Sequence, residues 1–208
     1  TFNRKKTFEL IDSYLAWGKY DFNVAKNNFD QHCQKIHITG NPRIDLLRKN
    51  LRNYHKENIN NIKRKYGDII LIPSAFPACN PFSKNKSLID TYRDLKVIRD
   101  SKDEKFYKNF IDHFAKILDI FLRDIPLLAS KFPHVNFIVR PHPSENQDLY
   151  TNTFNDIKNI IVSAEGSIVP WLGAAEAVIH NGCTTAVEGT IMDRNIIAYQ
   201  PIVNKLYD

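Results

Sequence analysis

No run of about 18 apolar residues occurs in the chain, so nothing in it reads as a membrane-crossing helix. No secretory leader pattern is visible. The sequence has only seven glycines, and they form neither a Walker loop nor a Gly-rich dinucleotide fingerprint. Cysteine is scarce. Cys33, Cys79 and Cys183 are far apart, odd in number and without metal-ligand spacing. They read as reduced thiols of a cytosolic protein. The seven histidines also lack metal-ligand spacing, so neither a metal nor a cofactor is expected. Aromatic and basic residues are not interleaved as on an RNA-binding surface, which argues against a nucleic-acid partner. Repeats and low-complexity tracts are absent. The chain begins at Thr1 without Met, which fits a missing N-terminal portion.

What is present suits a folded enzyme-sized unit. A chain of 208 residues buries a good core, and 43% hydrophobic content is incompatible with disorder. The length fits one large domain, or one domain plus part of another. A net charge of +6 suits acidic partners such as nucleotide phosphates or anionic lipid. Because the lysines are scattered, the charge fits a merely basic soluble protein equally well.

In chain order, Phe8 to Gly18 has helix-compatible spacing, or is the end of a strand reaching Trp17-Gly18. Asn23 to Phe29 fits a short helix, and Lys35 to Thr39 a strand. A long polar helix is expected from Arg43 to Lys65, with Pro42 in its first turn. Asp68 to Ile72 reads as a strand covered on both faces. The proline-rich segment after it reads as a binding or lid loop, and residues 84–103 as an exposed charged stretch. Phe106, Phe110, Phe114, Ile117 and Phe121 mark an amphipathic helix from Lys102 to Lys131, interrupted at Pro126, with the aromatic stripe in the core. Strands follow at 135–139, 159–162, 177–179 and 195–199, with helices at 168–175 and 186–192. Alternating strand and helix from Asp68 onward predicts an α/β fold with a parallel sheet and right-handed crossovers.

Two polar clusters sit where buried strands end, the edge at which open α/β sheets bind ligands. The first is Arg140-Pro141-His142-Pro143. Arg140 can grip a phosphate or carboxylate through two parallel hydrogen bonds, and His142 can donate to a phosphate oxygen. The alternative is a structural turn in which Arg140 pairs with a local acid such as Glu145. The second cluster is His180-Asn181-Gly182-Cys183-Thr184-Thr185, with Glu188 one helical turn on. Gly182 allows a sharp turn, and Cys183, Thr184 and Thr185 begin the next helix, where an anion is favoured. Glu188 can accept both hydroxyls of a ribose. The alternative is a helix capped by Thr184 with Glu188 in solvent. Cys183 has no visible His–acid partnership that would make it a nucleophile.

Ile38-Thr39-Gly40-Asn41-Pro42-Arg43-Ile44-Asp45, the Arg140 turn and the His180-to-Gly189 segment occur in that order. Together they resemble bacterial surface-carbohydrate biosynthesis proteins of the GT-B fold. These are relatives of capsule and lipopolysaccharide glycosyltransferases, including Kdo transferase-like proteins. A more distant similarity is to non-hydrolysing UDP-GlcNAc 2-epimerases. The resemblance runs from about Trp17 onward.

That resemblance implies a Rossmann-like parallel sheet flanked by helices. Residues 66–208 would be the C-terminal donor-binding domain, and residues 1–65 the end of the N-terminal domain with its connection. It implies a glycosyltransferase, or its donor-binding portion, acting in cell-surface polysaccharide synthesis. A nucleotide-sugar 2-epimerase or hydrolase is one alternative, and a non-catalytic nucleotide- or carbohydrate-binding module another. Carried over by position, the substrate-binding residues would be Ser74, Arg140, His142, His180, Asn181, Gly182, Cys183, Thr184, Thr185 and Glu188. No catalytic base can be named. The implied partners are a CMP- or UDP-linked sugar donor and a glycan or lipid-linked acceptor. The implied place is the cytoplasm, with room for peripheral association at the inner membrane. The epimerases carry an Asp-Ser-Gly-Gly type loop followed by paired acids; here only Glu188 remains behind His180-Asn181-Gly182-Cys183.

Overall fold

The β-branched runs become strands, and from Ile69 onward they gather into one sheet. The computed structural model describes residues 8–83 and 85–207, with Asp30 and Gln31 described by backbone alone. Lys84 and the ends of the two expected domains, residues 1–7 and 208, lie outside the described residues. The chain divides into two compact units between Leu46 and Leu47.

In the first unit, β1 (Tyr14–Ala16) and β2 (Ile36–Ile38) pair in parallel. They are joined through α1 (Lys19–Asn28) and a 3-10 turn at Asp30–Lys35. Of the two readings of residues 8–18, the strand is the one formed. Its small core holds Phe8, Ala16, Ala25 and Ile36, with Phe8 stacked on Phe29 at 3.9 Å. The Lys35 ammonium donates to the Ile11 carbonyl at 2.7 Å and ties the chain before β1 to the start of β2.

The long helix expected over residues 43–65 is broken instead. Asn41 accepts from the Arg43 N–H at 3.0 Å and caps a single turn, α2 (Pro42–Asp45). The next helical stretch is a 3-10 turn at Arg52–His55, leading into α3 (Lys56–Tyr66). Arg52 explains that break within the second unit. Its guanidinium donates to the Met192 carbonyl at 2.8 Å and to Asp193 at 2.7 Å, holding the turn against a distant segment.

Five strands make the main sheet: β3 (Ile69–Pro73), β4 (Asn136–Arg140), β5 (Ile160–Val162), β6 (Ala177–His180) and β7 (Asn195–Ala198). All are parallel, in the order β5-β4-β3-β6-β7. This is the expected Rossmann-like α/β sheet flanked by helices. The chain builds outward from β3 to one side, then returns to build the other. The switch point therefore lies between β3 and β6, where such sheets open a crevice at their carboxyl ends. The strands carrying the two polar clusters are not neighbours, because β3 runs between β4 and β6.

One face of the sheet is covered by α5 (Ser101–Lys131), which begins where Asp100 accepts from the N–H groups of Lys102 and Asp103. Ile117, Leu118, Phe121, Ile125 and Ala129 pack with Ile72, Phe137 and Val139. Burial of each large side chain contributes roughly 2 kcal/mol. That packing carries the helix straight through Pro126, where an interruption was expected. The missing N–H and ring clash cost about 3 kcal/mol, which this apolar face outweighs. The stripe is buried core only in its C-terminal half. Phe106, Phe110 and Phe114 are half-buried and overhang the strand ends. The segment before α5 is not a plain exposed stretch either. It forms α4 (Leu88–Asp94), capped by Ser87, and buries Ile89.

The remaining helices of the second unit are α6 (Gln147–Phe154), α7 (Ile168–Ala174) and α8 (Thr185–Ile191). α7 and α3 cross closely at Gly173, where an added Cβ would sit 2.3 Å from Ile59 Cδ1. A larger residue there would have to displace the Ile59 side chain.

Candidate functional site

The carboxyl ends of β3, β4 and β6 carry the residues singled out from the sequence. On the β3–β4 side they form a closed hydrogen-bonded network. Glu145 is 1% exposed. Its carboxylate accepts from the Ser74 hydroxyl at 3.1 Å, from the His142 N–H at 3.1 Å and from the Tyr150 hydroxyl. Backbone bonds extend the seam: Phe82 N–H donates to the Ser144 carbonyl at 2.7 Å, and Asn146 N–H to the Asn80 carbonyl at 3.1 Å. The loop after β3 is thereby stitched to the loop after β4. Burial, reinforced by the Glu145 charge, pushes the Tyr150 hydroxyl above its ordinary range. The same two causes push the Cys79 thiol up to about 12, so it is no nucleophile at neutral pH.

Arg140 is committed elsewhere. Its guanidinium donates to the carbonyls of Glu165 at 2.8 Å and Gly166 at 3.0 Å, and lies over the Trp171 ring at 5.1 Å. Trp171 Nε1–H donates to the same Glu165 carbonyl at 3.1 Å. Arg140 therefore clamps the loop between β5 and α7 and is buried, where the sequence reading placed it at the sheet edge gripping a phosphate or pairing with Glu145. Burial lowers its pKa from the ordinary value, with the Glu165 charge opposing. His142, two residues on, stays exposed.

The loop after β6 is built differently. Gly182 adopts φ +100, with open space around it, so the requirement for glycine there is conformational. Its N–H donates to His180 Nδ1 at 3.1 Å. The loop after β4 repeats the motif: Ser144 N–H donates to His142 Nδ1 at 3.1 Å. In both loops the histidine turns Nδ1 into its own turn, so a neutral ring carries its proton on Nε2. Burial lowers the His180 pKa from 6.5, favouring the neutral ring.

Thr184 precedes α8 in helical conformation, and its side chain makes no cap hydrogen bond, contrary to the capping alternative. Cys183 is a free thiol and Thr185 is half-buried. Glu188 is 7% exposed, not solvated, and has partners within the protein. Asn181 is 8% exposed, and its Nδ2 donates to the Ala75 carbonyl at 3.3 Å, linking the β6 loop to the β3 loop.

Ser74 and His142 thus belong to one assembly, and His180 to Glu188 to another. The Asn181–Ala75 bond joins them at the switch point. Two organising residues were missed as such. Glu145 entered only as a local partner for Arg140, and Tyr150 not at all. Their signal was a carboxylate and a phenol five residues apart beside a strand end, which the fold alone turns into a pair. Among the described residues no cluster of His, Cys, Asp or Glu could hold a metal ion, and no helix is long and apolar enough to cross a membrane.

No family model and no curated protein matches the chain. Solved structures do. The wall teichoic acid polymerase TagF matches 93% of this chain at 14% identity with a TM-score of 0.51, and a variant of it at 15% identity with a TM-score of 0.53. The UDP-GlcNAc 2-epimerase of Methanocaldococcus jannaschii matches 91% of the chain at 16% identity, with a TM-score of 0.46. The chain spans about 40% of the length of the polymerase chains it matches. The likeness establishes the GT-B-type α/β fold.

Proposed function

We propose that the chain is a glycosyltransferase, or its donor-binding portion, that takes a nucleotide-linked sugar during cell-surface polysaccharide synthesis. The observation that carries the reading is the pairing of two histidine turns around one switch point. His142 and His180 each keep Nδ1 in the local turn, and Nε2 of each is assigned to the ligand. Two residues after His180, Gly182 has open space around it. Fixed N–H donors of this kind stabilise phosphate charge as it develops on a departing nucleotide. In this reading Arg140 and Glu145 hold loops in place, while His142, His180 and the Gly182–Thr185 backbone meet phosphate. Glu188 is assigned to the ribose. Support from the fold is that TagF, a polymerase of a cell-wall polymer, shares it. The donor domain expected over residues 66–208 is assigned to the second compact unit, residues 47–208, and the preceding residues to the end of an acceptor-side domain. The acceptor, a glycan or lipid-linked chain, and any attachment to the inner membrane surface belong to the same proposal.

Calorimetry with UDP, CMP and CDP tests it. Binding of one nucleotide is expected, weakened at least tenfold in His142→Ala and in His180→Ala. Absence of binding by all three, or unchanged affinity in both variants, sinks the reading.

A further inference from the structure

Among the described residues, one buried side-chain polar atom lacks a hydrogen-bond partner: Asn181 Oδ1. The Ala75 carbonyl can only accept, so the Asn181 amide must turn its nitrogen toward it, which leaves the oxygen for something else. A buried acceptor left unpaired is unfavourable and calls for an explanation. Asn181 also lines a cavity of about 250 Å³ at the switch point. Phe110 and Phe114 of α5, Tyr199, Gln200, Tyr207 and the Pro77–Ala78 turn line it with Gly182. The Phe110 and Phe114 rings lie 4.7 Å apart, and Tyr207 meets Phe110 at 6.0 Å. None of the described lining residues is charged.

We infer that this cavity binds an uncharged ring bearing a hydrogen-bond donor, stacked on the aromatic walls with its donor directed to Asn181 Oδ1. With no charged side chain in its lining, the cavity does not neutralise a fully buried anion. Aromatic faces with the amides of Asn181 and Gln200 suit a sugar or a nucleobase, each apolar on its face and polar at its edge. The space limits the occupant to about one ring, at roughly eight water volumes. Oδ1 is closed to water, so a small rotation of Asn181 accompanies binding. The inference rests on the donor-site reading for what the ring is attached to, and on the cavity alone for its chemistry. It also assigns a role to the half of the aromatic stripe that the sheet does not bury.

The test uses the full 208-residue chain. Pyrophosphate, UDP, UDP-GlcNAc, uridine and N-acetylglucosamine are titrated by calorimetry, while NMR follows the Phe and Tyr rings. Ala78→Phe puts a large side chain into the lining, and Asn181→Ala removes the acceptor. Unchanged melting of the unliganded variants verifies their folding. If the ring is the sugar, both variants weaken UDP-GlcNAc at least tenfold and spare UDP. If it is the base, both weaken UDP and uridine and spare pyrophosphate. The inference is overturned if no ring-bearing ligand moves the signals of Phe110, Phe114, Tyr199 or Tyr207, or if every affinity stays within twofold in both variants. Failure of UDP and pyrophosphate to bind, with uridine or N-acetylglucosamine still moving those signals, would overturn the donor-site reading and leave the cavity's assignment standing.

Discussion

The loops after β4 and β6 start alike and end differently. Each leaves a strand through a histidine whose Nδ1 accepts from the N–H two residues on. Beyond that turn, the β4 loop is fastened from within. Glu145 gathers Ser74, His142 and Tyr150, while Arg140 grips the next loop. The β6 loop has a glycine in a left-handed conformation, an uncapped threonine and an asparagine with an unpaired oxygen. A buried polar group is stabilising when fully partnered, and an unpartnered one marks where something else is meant to bind. The comparison therefore assigns the buried Arg140 and Glu145 of the β4 loop to scaffold, and leaves the exposed His142 and the β6 loop to ligand.

The largest effect should come from the scaffold side. Glu145→Ala leaves two hydroxyls and one N–H without their acceptor. Each orphaned buried group costs about 1–3 kcal/mol, less what water and relaxation recover. We expect a loss of roughly 3 kcal/mol in urea unfolding with an unchanged slope. Glu145→Gln, which keeps one acceptor oxygen, should lose roughly 1 kcal/mol. A change below about 0.5 kcal/mol in the alanine variant would show that the network is decorative, since ordinary surface changes fall in that range.

This contrast also explains what could be read beforehand. The five strands and the helices α5, α7 and α8 were legible because apolar runs, Pro133 and the cap-and-break residues agree on one alternation; the short α4 and α6 were not. The placement of the two polar clusters at strand ends, the edge where open parallel sheets bind ligands, was legible too. Strand order was not legible. Nothing in the sequence says that β3 threads between β4 and β6, and with that went the separation of the two clusters. Arg140 was read by its chemistry, yet its role depends on carbonyls of residues 165 and 166, which only the sheet brings near. The break at residues 46–51 was hidden for the same reason, because Arg52 is held by Met192 and Asp193 from the far end of the chain.

A smaller effect is expected from the β6 loop. Gly182→Ala meets no atom, so its cost is the left-handed backbone, roughly 1–2 kcal/mol. Gly18, in extended backbone at φ −176, should accept alanine within about 0.5 kcal/mol. Thermal or urea unfolding of the two variants separates conformation from mere loss of a glycine. Equal costs at both positions would remove the argument that the β6 loop is held open by its backbone.

The finest distinction concerns His180 and its proton. Burial lowers its folded pKa below 6.5, and its Nδ1 accepts from Gly182, which suits the neutral ring. Between the lowered folded value and 6.5 the unfolded chain binds more protons than the folded one, so stability rises with pH there. The penalty is absent above about pH 7, grows as pH falls through 6.5 and is complete below the folded value. His180→Gln should abolish this slope between about pH 5 and 7, as measured by urea unfolding at a series of pH values, while leaving the curve above pH 7 parallel to the parent. A bound phosphate would act in the opposite direction, because a neighbouring anion favours the charged ring. Saturating nucleotide should therefore flatten or invert the slope in the parent and change nothing in His180→Gln. A parent slope that survives saturation would mean that the anion lies elsewhere, and the β6 loop would then share the β4 loop's scaffold role.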